Sequence, residues 1–275
     1  MVQTISFGIS PNRCIKINNI LENESTEDKL VYLSEIFYKT DMKIKIYKNV
    51  YDNIIEIYKK LQNHEYFNII PITGFIQCKD DFINIKQDLI KNGICNGSDN
   101  NQIYMLITKN ITNIIEPTTI QQKISIFLQL SFTMMELYYN YGIIYDKINF
   151  DHISICSTNI ETTFYNIQNP FYNYMIKTHG VRVYINDFDT AEIENRSSHT
   201  YKFIESYLIM CKYILNKYEL IDHETYKKVK KTLIDDINII KQTKLMKVGV
   251  IADVYSALKY IIIPKLSDGV LYEIR

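Results

Sequence analysis

The 275-residue sequence predicts an α+β fold in two parts, a small strand-rich part with one helix over residues 1–113 and a mainly helical part over 114–275. Three observations carry this expectation. Short runs rich in Ile, Val and Tyr dominate the first part, the apolar spacing changes to helical after Thr119, and a β-rich run from Val183 stops at Asp187-Phe188-Asp189. The length suits one domain with two lobes, since single cores stop growing near roughly 250–300 residues.

The elements follow in order. Cys14–Leu21 reads as a strand, and Leu30–Tyr38 with Met42–Tyr47 reads as a hairpin across the turn Lys39-Thr40-Asp41. Ile54, Ile57, Tyr58 and Leu61 are spaced as one helix face within Asn53–Leu61. Asn68–Phe75 and Ile103–Thr108 are expected strands, separated by a polar surface loop containing Asn92-Gly93 and Asn96-Gly97. From Thr119, the residues Ile124, Phe127, Leu128, Phe132, Met135 and Tyr139 predict a long helix closed near Gly142. Ile153–Cys156 and Val181–Asn186 are strands flanking an Asn- and Tyr-rich insertion, and Tyr201–Leu215 is an apolar helix. Asp253-Val254-Tyr255-Ser256 is placed on an amphipathic helix.

Composition excludes several classes. Hydrophobic residues make up 47% and charged residues 23%, a globular mix, and Lys+Arg balance Asp+Glu at 31 each. The short run Lys227-Lys228-Val229-Lys230-Lys231 fits a solvated helix face, so no nucleic-acid partner is evident. Five scattered cysteines without a C-x-x-C pair argue for a reducing compartment and against thiolate metal sites. With no leader-like start and no apolar run of about 18 residues, the expectation is a cytoplasmic chain without a membrane segment. Abundant Ile, Asn, Lys and Tyr suggest an AT-rich genome, a bias common in large DNA viruses and some protists, so the compartment would be host cytoplasm or a virion.

The order of elements, with the residues they carry, resembles the protein kinase-like superfamily over roughly residues 14–215, and within it a viral pseudokinase. The resemblance implies a bilobal fold, with a kinase-like N-lobe over 1–113 and a C-lobe over 114–275. Met42-Lys43-Ile44-Lys45 is similar to the V-A-I-K strand, which makes Lys45 the lysine of the α- and β-phosphates of ATP. Glu56, followed by His64 and Asn68-Ile69-Ile70-Pro71, resembles the αC glutamate and its "H-x-N-I-V" continuation, implying an ion pair with Lys45. Val183–Ala191 resembles the strand leading into Asp-Phe-Gly. This assigns Asp187 to Mg²⁺, with Asp189 in place of the glycine. Taken alone, a strand-end Asp that caps a turn is the simpler reading of that pair.

Other positions depart from the family. Between Ile15 and Leu33, where a Gly-rich loop belongs, the tip Glu22-Asn23-Glu24-Ser25-Thr26-Glu27-Asp28-Lys29 contains no glycine, and its four carboxylates would repel a triphosphate. Gly142–Ile155 resembles the catalytic loop "G-I-V-H-R-D-L-K-P-E-N-I-L-I" in its apolar beats. Aligned without gaps, Tyr145 takes the His place, Lys147 that of the catalytic Asp and His152 that of the metal-binding Asn. A one-residue slip instead makes Asp146 the base and Asp151 a metal ligand, at the cost of placing Lys147 at a buried apolar position. No A-P-E segment follows Asp189.

These features imply a pseudokinase that serves as a binding or scaffolding module for a protein partner. Two alternatives compete with it. One is an active divergent serine/threonine or small-molecule kinase using ATP and Mg²⁺ through Lys45, Asp146, Asp151 and Asp187; the other is a structural or virion protein.

Overall fold

A computed structural model describes residues 3–6, 14–20, 29–36, 39–47, 52–62, 68–77, 104–145, 150–168, 171–193, 200–220, 223–224, 227–228, 230–231 and 271–274. The acidic tip after Leu21, the Asn-Gly loop, Asp146, Lys147 and the expected helix near Asp253 lie outside the described residues. The chain divides into two compact units, Met1–Tyr66 with Ile70–Thr112, and Phe67–Ile69 with Asn113–Arg275. Helix and strand are mixed in both.

Among the described residues the first unit is a six-stranded antiparallel sheet with one helix. Its strands are β1 (Gln3–Ser6), β2 (Cys14–Ile20), β3 (Lys29–Ile36), β4 (Lys39–Tyr47), β5 (Ile72–Gln77) and β6 (Tyr104–Lys109), in the spatial order β1-β2-β3-β4-β6-β5. The β3–β4 hairpin is present, but its turn is displaced from the expected one. Lys39 already pairs with Ile36, so Lys39-Thr40-Asp41 belong to β4. Ladder bonds are made by the backbone, and a polar triplet with a β-branched threonine does not end them.

The expected strand from Asn68 also starts later, at Ile72. Pro71 lacks an N–H and breaks the run, while its carbonyl accepts from the Lys109 N–H at 3.1 Å. Helix α1 (Asp52–Leu61) buries Ile54, Ile55, Ile57, Tyr58 and Leu61. The hydroxyls of Tyr58 and Tyr47 meet at 3.1 Å, which joins that face to β4.

The second unit carries more strand than expected. Around helices α2 (Ile120–Tyr141) and α3 (Thr200–Lys217) lie β7 (Ile143–Tyr145), a 3-10 turn at Phe150–His152, β8 (Ile153–Ser157), β9 (Thr162–Gln168), β10 (Phe171–Lys177), β11 (Val181–Ile185), β12 (Ala191–Ile193) and β13 (Leu271–Ile274). Its described part is therefore mixed rather than mainly helical. The Asn- and Tyr-rich insertion is the β9–β10 hairpin, with β13 on its far side. Thr163, Tyr165 and Ile167 are buried while Phe164 and Asn166 are exposed, so the insertion alternates as a half-buried strand.

Both ends of α2 follow from its sequence. Thr119 and Gln122 form a capping box, and Gly142, at φ 67°, closes the helix with its N–H on the Tyr138 carbonyl at 2.9 Å. Tyr138 stacks on Phe203 at 4.3 Å and 7°, packing α2 against α3. No described helix is long and apolar enough to cross a membrane.

A buried polar network centred on Asn68 and Gln129 orders this unit. Asn68 Nδ2 donates to Gln129 Oε1 at 2.8 Å and to the Val183 carbonyl at 2.8 Å, and the Tyr165 hydroxyl donates to Asn68 Oδ1. Gln129 accepts from the Val183 N–H at 3.0 Å and donates to the Val181 carbonyl at 3.0 Å and to Ser125 Oγ at 2.9 Å. The backbone of Asn68 accepts from the Ile185 N–H at 2.8 Å beside the parallel bridge Ile69–Ile185. Asn68 therefore fastens β11 to α2 and β9, all within one unit.

Two stability predictions arise here. Asn68→Ala leaves buried groups of Val183, Gln129 and Tyr165 short of a partner, so urea denaturation should report a loss of about 2–4 kcal/mol. Burial lifts the Glu136 carboxyl from 4.5 to about 7, and a hydrogen bond from the Asn166 backbone opposes the shift only in part. Below 4.5 both folded and unfolded chains are protonated at this site, and stability falls as pH rises from there towards about 7. Glu136→Gln should match the parent in acid and exceed it at about pH 8 by on the order of 1–3 kcal/mol, measured as the pH dependence of the difference in unfolding free energy.

Candidate functional site

The β8–β11 pair delivers Asp187. Ile185 pairs with Ile153 at the end of the ladder, and the Asn186 N–H then donates to the His152 carbonyl at 2.9 Å. Asn186 Nδ2 reaches Ser154 Oγ at 2.6 Å, which holds the strand exit on β8. There the chain turns: Asp187 Oδ1 accepts from the Asp189 N–H at 2.8 Å, and the Ala191 N–H donates to the Phe188 carbonyl at 3.0 Å. These are an Asx-turn followed by a β-turn, which lead into β12. Among the described residues the non-glycine positions with positive φ are His179 and Glu219, so Asp189 lies outside the left-handed region that favours glycine.

Tyr145 lies at the centre of the cluster. It ends β7, pairs with Ala191 of β12, and is fully buried. Its carbonyl accepts from Ser206 Oγ of α3. Its hydroxyl donates to the Asp187 carbonyl and lies 3.0 Å from His152 Nδ1. Phe188 packs edge-on against the tyrosine ring at 5.6 Å and 70°. Burial, then the charges of Asp187 and Asp189, push the Tyr145 phenol well above its ordinary value and keep it a donor.

The structure gathers some of the predicted residues. Asp187 is half-buried at the turn, and His152 is half-buried beside Tyr145, while Asp151 is exposed on the 3-10 turn. In the first unit, Lys45 lies on β4 opposite Val31 and Leu106 and is buried at 4% exposure. Glu56 stands on the solvent face of α1, opposite its apolar stripe, with its side chain 57% exposed, and pairs with Lys60 at 2.9 Å. The helical period that buries Ile57 and Tyr58 turns Glu56 outward, so its carboxylate serves an i,i+4 pair and does not meet Lys45.

Mg²⁺ requires several oxygen ligands, and among the described residues no three His, Cys, Asp or Glu side chains converge on one point. Asp187 contributes one carboxylate, already bonded within its own turn. Tyr145, Asn68 and Gln129 act through partners distant in sequence, which no short motif announces. The available signals are the tyrosine that closes the apolar run Ile143-Ile144-Tyr145 and the lone polar residue in Phe127-Leu128-Gln129-Leu130.

Asn in place of Asp187 keeps the acceptor oxygen of the Asx-turn, whereas Ala removes it. Asp187→Asn should therefore hold stability within about 0.5 kcal/mol and Asp187→Ala should cost about 1 kcal/mol, measured by thermal or urea unfolding.

No family model and no curated protein matches the sequence. Among solved structures the chain is similar to the Cydia pomonella granulovirus kinase PK-1, at 14% identity and a TM-score of 0.40, over 67% of this chain and 57% of that one. The chain thus matches a little over half the length of that viral kinase.

Proposed function

We propose that the chain is a kinase-like pseudokinase, a binding or scaffolding module for a protein partner in which phosphotransfer is impaired. The observation that carries this reading is the Asp187 turn. The carboxylate at the metal position caps the Asp189 N–H, and the adjoining carbonyl is bonded by Tyr145, which stands where the catalytic loop's histidine would be. Turn capping is a sufficient structural reason for an aspartate there. Two sequence features support the same conclusion: the glycine-free segment Glu22–Lys29 in place of a phosphate loop, and Lys147 at the position of the base. A protonated lysine does not accept the proton of a substrate hydroxyl.

Thermal unfolding with millimolar ATP, with and without Mg²⁺, tests the proposal. A nucleotide present at about 100-fold over its dissociation constant stabilises a protein by about 2.7 kcal/mol, a readily measured shift. The expected result is no Mg²⁺-dependent shift. A shift that requires Mg²⁺, together with phosphate transfer lost in Asp146→Asn, would overturn the proposal in favour of an active kinase using Lys45, Asp146, Asp151 and Asp187.

A further inference from the structure

Among the described residues β9 ends its three-stranded sheet, so the backbone groups on its side away from β10 need partners from outside the sheet. At Asn166 both partners come from α2. The Asn166 N–H donates to the Glu136 carboxyl, and the Asn166 carbonyl accepts from Asn140 Nδ2 at 2.8 Å. Glu136 and Asn140 stand at i and i+4 on the helix. One turn before them Phe132 packs against Tyr165 at 5.6 Å and Tyr174 at 4.7 Å. A single row of α2 therefore holds the β9–β10 hairpin twice, by an aromatic contact and by a two-point clasp on the strand edge.

Of the two clasping side chains only Glu136 titrates. From β9 the Tyr165 phenol faces it, and β10 pairs Tyr174 with Tyr165; neither phenol offers a positive charge. Arg182 of β11 acts on the Tyr165 phenol, while burial governs Glu136 and holds its carboxyl at about 7. The group is thus neutral in weak acid and charged above about 7. A carboxylate that becomes charged in a shielded place gains by reaching water, and its bond to the Asn166 N–H offsets that gain only in part.

We propose that Glu136 and Asn140 form a pH-sensitive latch on the outer edge of β9, in which neutral Glu136 keeps the edge closed and its ionisation lets the strand open locally at Asn166. The Asn68–Gln129 network meanwhile keeps β11 on α2. The folded value of Glu136 is raised, so the latch is fully closed below 4.5 and weakens as pH rises towards about 7.

Amide hydrogen exchange of the full chain, resolved by NMR and divided by the intrinsic exchange rate at each pH, tests the latch. The Asn166 N–H should be less protected than the Val183 N–H, which Gln129 holds. Its protection should fall on the order of tenfold between about pH 5.5 and 7.5 and then level off. In Glu136→Gln that pH dependence should vanish. In Asn140→Ala protection at Asn166 should be lower at every pH, with the pH dependence kept.

Equal protection at Asn166 and Val183 would mean that the unit opens only as a whole, and would overturn the latch. A pH-independent Asn166 in the parent, or a pH dependence that survives Glu136→Gln, would do the same. Unchanged protection in Asn140→Ala would overturn the two-point clasp. Where a variant does not fold, the parent profile decides by its fall and its plateau.

Discussion

Asn68 and Gln129 are buried amides, and their need for partners fixes the arrangement of the second unit. Each carries both donors and acceptors into a place without water, where an unmet group costs about 1–3 kcal/mol. They meet this need by binding one another and the backbone of β11 at Val181 and Val183. Apolar packing tolerates small slips, but a strand bound through paired amides has one register. That register determines where β11 ends, and so where Asp187 emerges.

What emerges is a turn in which the Asp187 side chain and the carbonyls of Asp187 and Phe188 are engaged locally. Oδ1 of Asp187 is bonded by the Asp189 N–H, its carbonyl by Tyr145, and the Phe188 carbonyl by the Ala191 N–H. Phe188 and Tyr145 bury the apolar side of the same turn. The fold thus supplies independent structural reasons for the aspartate, the phenylalanine and the tyrosine. An aspartate at the third position is consistent with the backbone, because no left-handed φ is required there.

The sequence is most legible where a local rule decides the outcome. Helix α2 starts at a capping box and ends at a glycine with φ 67°, and both signals involve residues within a few positions of each other. Helix α1 is equally plain in its apolar period. The β3–β4 turn is less so, because a polar triplet resembles a turn until its pairing partner is known. The β9–β10 hairpin is obscured because asparagines interrupt a run whose alternation is clear only from burial. At the site, Asp187 is readable from its strand and neighbours. The bond from Tyr145 spans 42 positions and that from Asn68 to Val183 spans 115, so their significance depends on the fold and not on local spacing. Glu56 shows the reverse limit, since a motif-like position on a helix does not determine which way the side chain faces.

Charge provides a further constraint on what the turn can bind. Asp189 adds a second carboxylate two residues from Asp187, and both act on the buried phenol of Tyr145. Two negative groups attract a cation but repel the oxygens of a polyphosphate. At about 4 Å and an effective dielectric near 20, each such pair is worth roughly 4 kcal/mol. In a phosphotransfer site a bound cation must offset both carboxylates before it can neutralise phosphate, whereas a glycine at the third position would leave one charge fewer to offset. Two carboxylates this close make the turn a better environment for cations and hydrogen-bond donors than for anions.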